Sequence, residues 1–226
     1  MTDPLFKEHT RYFYAGREVP PCTVIAGYGP QPWLAKWAWS QGRQGIPLDA
    51  KLQWAGHVGT IVHLLMREAL TGLPVDTSFY RPADVALAQK LAGRLKEMVR
   101  PDLVIKSEVP CSSRRFGGTP DAVIRVGSDT VLVDFKTGKG VYAEAYMQVS
   151  AYAWMLQHRH MELVDGAWKF AEPVKIDKVW ILHAPNTGAV VSKIEVEPQV
   201  LRKAYRAFLA RMASYYADLG LKEVLP

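Results

Sequence analysis

The sequence predicts an α/β fold, a mixed central sheet flanked by helices. Three observations predict it. Helix-period segments fill the chain up to about residue 99, and from residue 103 they give way to short strand-like runs. The stretch GGTPDAVIRVGSDTVLVDFKTG, residues 117–138, reads as two strands joined by a turn. The remainder then runs helix, two strands, helix.

The elements follow in order. Pro and Gly cluster in YGPQPW (28–33) and SQGRQGIP (40–47), which read as loops around a short helix, WLAKWAW. Leu52 to Leu70 reads as a helix stopped by Gly72 and Pro74. A second helix covers 82–99, with Pro82 near its start and Pro101 beyond its end. Strands are expected at 103–110, 119–126 and 130–135, a helix at 142–159, and strands at 175–184 and 189–196 around the turn PNTG. Pro198 opens a last amphipathic helix to Leu219, with Leu201, Tyr205, Phe208, Met212 and Leu219 as its core stripe. Its Arg202, Lys203, Arg206 and Arg211 read as a solvated face. No internal repeat interrupts this order, so one domain over 1–226 is expected: a leading segment (1–50), a core at about 52–184 and the C-terminal helix (198–219).

Of the 226 residues, 49% are hydrophobic and 22% charged, an ordinary globular composition. No apolar run reaches the roughly 18 residues of a membrane span. The opening MTDPLFKEHT has no basic start followed by an apolar core, which predicts no signal peptide and a cytoplasmic home. Two cysteines, Cys22 and Cys111, fit a reducing compartment and are too few for a four-thiolate iron–sulfur cluster. The net charge of +6 permits a polyanionic partner without demanding one.

The hairpin carries charges where apolar residues are expected. Strand side chains alternate faces, so Val131, Val133 and Phe135 share one face of VLVDFK, and Leu132, Asp134 and Lys136 the other. Asp121 begins the preceding strand and can reach the same sheet end. Converging carboxylates raise each other's pKa, and a hard divalent cation, Mg²⁺ or Mn²⁺, resolves the conflict. A lysine beside it can place a water or stabilise charge on phosphate. A D-x-K pair alone is more often a surface ion pair.

Other residues add to the pattern. Gln148 and Tyr152 stand i, i+4 on the following helix, with Glu144 extending the stripe. His63 follows Gly59 by four residues on an early helix, and His57 faces elsewhere. Glu108 ends the strand before Asp121. Arg114 and Arg115 precede the hairpin and can touch phosphates. Tyr28, Trp33, Trp37 and Trp39 can stack on unpaired bases, although core packing is the commoner use of such residues. His158, His160 and His183 show no ligand spacing.

The order GxxxH, GTPD, VDFKTG, QxxxY resembles the PD-(D/E)xK nuclease superfamily, most of all the RecB-like branch with phage exonucleases and the mitochondrial genome maintenance exonuclease. The match runs from Gly59 to Tyr152, and TVIAGYGPQPWLAKWAW resembles the leading segment of those relatives. The resemblance implies a restriction-endonuclease-like core and a metal-dependent DNA exonuclease of recombination or repair, phage-encoded in many relatives. It implies His63, Asp121, Asp134 and the Phe135 main-chain carbonyl as metal ligands, with Glu108 as a further candidate. Lys136 is then the catalytic lysine, acting with Asp121 and Asp134. Gln148 and Tyr152, with Arg114 and Arg115, contact DNA or support the site. DNA is the implied partner, alongside a recombination or single-strand-binding protein, with no membrane involved. Many relatives carry Glu where Asp134 stands, and the iron–sulfur cysteines are missing. Two other classes compete: a DNA-binding module that does not cut, and an interaction subunit with a nuclease-like fold. The intact Asp121, Asp134 and Lys136 argue against the first, and co-purification of a partner without intrinsic cutting would favour the second.

Overall fold

The computed structural model describes residues 10–30, 32–43, 48–186 and 190–222. In chain order the elements are β1 (Tyr12–Tyr14), β2 (Arg17–Val19), α1 (Cys22–Ala26), α2 (Pro32–Arg43), α3 (Leu48–Thr71) and α4 (Pro82–Met98). Then come β3 (Leu103–Ser107), β4 (Cys111–Ser112), β5 (Gly117–Gly118), β6 (Ala122–Val126), β7 (Asp129–Lys136) and α5 (Ala143–Leu156). The chain continues through β8 (His160–Val164), β9 (Ala167–Ala171), β10 (Lys178–His183), β11 (Ser192–Glu195) and α6 (Pro198–Lys222).

The central sheet has five strands in the order β11-β10-β7-β6-β3. Only β7 and β10 run parallel; the other pairs are antiparallel, so the sheet is mixed, as expected. A parallel pair cannot be closed by a tight turn, and the long connection through α5, β8 and β9 supplies the crossover. Alternation along β7 splits its residues between two cores. Val131, Val133 and Phe135 pack against α3 and α4 with Val58, Ile61, Met66, Leu91 and Leu95. Leu132 packs on the opposite face with Val123, Ile181, α1, α5 and α6. Helix α5 is apolar nearly all round and is buried accordingly, with Met147, Val149, Met155 and Leu156 all inside. No helix among the described residues is long and apolar enough to cross a membrane.

A second sheet, β5-β4-β8-β9, and a small β1–β2 hairpin were not expected from the sequence. Both hairpins turn on two consecutive left-handed residues, Asp165 (φ 52) and Gly166 (φ 76) in one, Ala15 (φ 48) and Gly16 (φ 80) in the other. Asp-Gly between short β-prone runs is the ordinary signal for such a two-residue turn, and VDGA (164–167) carries it.

Several expected ends shift. The strand expected over 103–110 stops at Ser107, because Glu108 turns into the left-handed region at φ 52. The strand expected from 119 starts at Ala122, after Pro120, and the helix expected to 159 ends at Leu156. The loop expected at 40–47 is helical as far as Arg43, and residues 44–47, like 187–189 of the PNTG turn, lie outside the described residues. On α6, Phe208 and Met212 are buried as expected, but Leu219 is 40% exposed and leaves the core stripe. Arg211 is not on a solvated face: it donates to the Ala26 carbonyl and pairs with Glu144 at 3.4 Å.

Candidate active site

The β6–β7 register sets Ala122 opposite Val133, so Asp121, one residue earlier, comes level with Asp134 at the sheet end. Asp121 is 7% exposed and Asp134 1%. Asp121 Oδ2 accepts the Phe135 N–H at 2.6 Å, which locks the two strand ends together. The Asp121 backbone carbonyl accepts the Glu108 N–H at 3.0 Å, so the left-handed turn at Glu108 is tied to the same corner.

Helix α3 completes the corner from the other face of the sheet. His63 Nδ1 stands 3.1 Å from Asp121 Oδ1 and 3.6 Å from Glu108 Oε1. Its ring meets Phe135 edge-on, with centroids 6.1 Å apart. Gly59, one turn earlier, makes the approach possible: a Cβ there would lie 3.1 Å from Thr137 Oγ1, in the KTG segment that follows β7. The glycine and histidine of GxxxH therefore do different work, one allowing close packing and one reaching the carboxylates.

Behind Asp134 runs a polar chain. Lys136 Nζ stands 2.8 Å from Asp134 Oδ2 and donates to Gln148 Oε1 at 3.0 Å. Gln148 Nε2 donates to the Tyr152 hydroxyl at 3.1 Å. The i, i+4 pair of α5 thus holds the lysine rather than facing outward. Glu144 does not extend this stripe, because it turns to Arg211. Tyr152 is itself wedged. A Cβ on Gly118 would lie 2.3 Å from Tyr152 Cε1 and 3.0 Å from Cys22 Sγ, while one on Gly117 would lie 2.3 Å from the Tyr12 side chain. The glycine pair ahead of TPD is where two backbones and two tyrosines meet.

The charges are strongly coupled. Burial raises the Asp134 carboxyl and the charge of Asp121 adds to it, so that despite Lys136 its pKa rises to about 6. Burial raises Asp121 too, but His63 and then Lys136 outweigh it and hold this carboxyl below its ordinary range. Burial pulls the His63 imidazolium down, yet Asp121 and Glu108 prevail and push its pKa up to about 10. Burial likewise opposes the Lys136 ammonium, but Asp134 and Asp121 keep its pKa raised.

A divalent cation fits this corner. The ligating atoms of His63, Glu108 and Asp121 all lie within 4.8 Å of one another. Both Asp134 oxygens are buried; Oδ2 has the Lys136 ammonium at 2.8 Å, and Oδ1 has no partner among the described residues. Buried carboxylate oxygens without donors are costly unless something positive completes them. The surrounding nitrogen and oxygen donors suit a hard ion.

The expected residues separate into groups. His63, Glu108 and Asp121 form the tight cluster. Asp134 and Lys136 adjoin it through Asp121, and Gln148 and Tyr152 stand behind the lysine. Arg114 and Arg115 sit on the β4–β5 turn, exposed, in a groove bordered by α6. His57 meets Tyr80 edge-on at 6.1 Å. Tyr28 packs edge-on against Tyr215, Trp39 is 67% exposed beside Arg43, and the side chains of Trp33 and Trp37 lie outside the described ones. His160 corrects the expectation of no ligand spacing: its ligand atom, with those of Cys111 and Glu162, lies within 4.8 Å of the others. That cluster is already bonded internally. His160 Nε2 is 2.9 Å from Glu162 Oε1 and its Nδ1 is 2.8 Å from the His158 carbonyl. Lys106 Nζ is 2.7 Å from Glu162.

Fold and corner together define an α/β protein with a candidate divalent-cation site. The family model described as the PD-(D/E)XK nuclease superfamily matches residues 35–219, most of the chain, and the chain belongs to that superfamily. No curated protein matches. Among solved structures the chain is similar to one titled "Crystal structure of SSO0001", at 13% identity and a TM-score of 0.31, covering 68% of this chain and 74% of that one. Members of the superfamily are generally nucleases that use divalent metals and act on DNA.

Proposed function

We propose that the chain, over 1–226 as one nuclease domain, is a Mg²⁺- or Mn²⁺-dependent deoxyribonuclease that works from DNA ends. Asp121, Asp134, His63 and the Phe135 main-chain carbonyl hold the ion, with Glu108 as a further ligand. The observation that carries the reading is the cluster of two carboxylates and an imidazole, His63, Glu108 and Asp121, beside the buried Asp134, whose Oδ1 has no partner among the described residues. A divalent cation there would supply charge neutralisation at the phosphate and a more acidic water.

The chain's own residues do the rest. Lys136 keeps its proton at Nζ and presents a positive charge toward the scissile phosphate or the attacking water. Gln148 fixes the direction of that ammonium, and Tyr152 fixes Gln148. Asp121, bonded to the Phe135 N–H, keeps the strand ends from parting. Arg114 and Arg115 contact the DNA backbone.

The motif order and the leading segment support placement in the RecB-like branch. With it come action from free ends, a role in recombination or repair, a phage origin, a recombination or single-strand-binding partner and a cytoplasmic home. The test is digestion of end-labelled single-stranded, blunt duplex and closed circular DNA with Mg²⁺ or Mn²⁺. Shortening from ends, with circles spared and EDTA inhibitory, is expected. Rapid linearisation of closed circles overturns the end requirement, and undiminished cutting in EDTA overturns the metal requirement.

A further inference from the structure

A wide groove among the described residues lies outside the candidate metal cluster. It has a volume of about 1080 Å³ and runs between the β1–β2 hairpin, the β4–β5 turn and the last turns of α6. Arg17, Arg114 and Arg115 line it, together with Tyr14, Tyr215 and Tyr216. The three arginines are exposed, and none pairs with an acid among the described residues. The acid in the lining, Glu18, is neutralised by Arg11. The groove thus offers positive charge and aromatic surface together.

The arginine turn is held rigidly. Ser113 Oγ donates to the Phe116 carbonyl at 2.9 Å, and the Phe116 N–H returns to Ser113 Oγ at 3.3 Å. The Phe116 ring is 1% exposed and packs against Phe208, with centroids 4.9 Å apart. The Tyr216 hydroxyl donates to the Arg115 carbonyl at 2.6 Å, tying the turn to α6. Two unpaired guanidinium groups are therefore held by a turn that has little conformational freedom left to lose on binding. From Arg115 the chain needs only six residues to reach Asp121, at most about 20 Å even if fully extended. One bound strand can span groove and cluster.

We infer that this groove binds an unpaired DNA strand, its phosphates on Arg17, Arg114 and Arg115 and its bases against the tyrosines. The inference rests on the nuclease reading for its substrate and adds which form of DNA is held and where. Charge alone would suit an acidic peptide equally well. The tyrosines favour nucleic acid, because base stacking on aromatic rings is what sequence-tolerant single-strand binding uses. A duplex hides its base faces and could use only the arginines.

The test is fluorescence anisotropy with labelled (dT)20 and a blunt duplex of 20 base pairs, in EDTA so that nothing is cut. Arg114→Glu/Arg115→Glu lies on an exposed turn, so thermal melting should match the parent. This variant should weaken (dT)20 binding by roughly tenfold or more and lower the steepness of its salt dependence by about 1.4 in log–log slope. Tyr14→Ala and Tyr215→Ala should each weaken (dT)20 by roughly tenfold and leave the duplex unchanged. Parental (dT)20 affinity in the arginine variant overturns the inference even if the protein cuts DNA. Equal losses on (dT)20 and duplex in the tyrosine variants overturn the single-strand part. A poly-glutamate peptide that binds as tightly as (dT)20, and is lost in the same variants, reassigns the groove to an acidic protein segment. Loss of (dT)20 binding in the variants of a protein that cuts no DNA leaves the groove standing and removes the nuclease reading instead.

Discussion

Gly118 and Tyr152 occupy one space: a methyl group on Gly118 would fall 2.3 Å from Tyr152 Cε1. Tyr152 is 3% exposed and carries Gln148, which carries Lys136, so Gly118 sits three links from Lys136. Gly118→Ala should cost about 1–3 kcal/mol through overpacking, read as a fall in Tm of about 2–4 °C per kcal/mol for a chain of this size. In a Tyr152→Ala background the same change should cost much less. Additive effects in this cycle would show that the two residues do not compete for space.

Asp134 and Lys136 should separate under mutation, although they touch at 2.8 Å. Asp134→Ala removes a charged oxygen, so Mn²⁺ should bind weakly or not at all. Lys136→Ala removes a cation that opposes the ion, so affinity should hold or rise. Single-turnover cutting should nonetheless fall roughly a hundredfold or more in both variants. Calorimetric Mn²⁺ titration beside single-turnover cleavage makes the comparison. Two variants that bind Mn²⁺ and cut like the parent would reduce the contact to an ion pair.

Among the described residues Gln148 is hydrogen-bonded to the lysine and to Tyr152 and to no carboxylate, which predicts a third pattern. Gln148→Ala should leave Mn²⁺ affinity at the parental value and slow cutting by roughly ten- to a hundredfold, the scale of one hydrogen bond to a charged group. The loss should appear in kcat rather than KM. A change confined to KM would place Gln148 in DNA binding instead.

His63 should contribute a pH dependence to the metal-free protein above neutrality. Its folded pKa is raised to about 10 from 6.5. The imidazolium's pairing with Asp121 and Glu108 therefore contributes stability fully below pH 6.5 and loses it as pH rises toward 10. In EDTA, Tm should fall across that window in the parent, and His63→Gln should flatten the slope. A ligating imidazole must be neutral, so Mn²⁺ binding near pH 8 should release a proton that His63→Gln abolishes. His57→Ala, at a ring that packs on Tyr80 rather than on the carboxylates, should alter neither the proton release nor cutting. An unchanged slope in His63→Gln would remove this histidine from the corner.

The five central strands, the flanking helices and the shared face of Asp134 and Lys136 were legible in the sequence. Each follows from a period of two or 3.6 residues along a single segment. The Asp165–Gly166 hairpin was equally legible, yet it lies between the helix expected to 159 and the strand expected from 175, where no element was assigned. Other features had no local signal. Glu108 joins His63 and Asp121 because its own left-handed turn and the crossing of α3 aim two side chains at one point. Gln148 and Tyr152 back Lys136 only because α5 lies against β7. Cys111 meets His160 and Glu162 because β4 pairs with β8, which begins 49 residues later. The arginine turn meets the tyrosines of α6 only where the second sheet and the last helix pack together. Periodicity along the chain sets which face a side chain takes; packing between elements distant in sequence sets what that face meets.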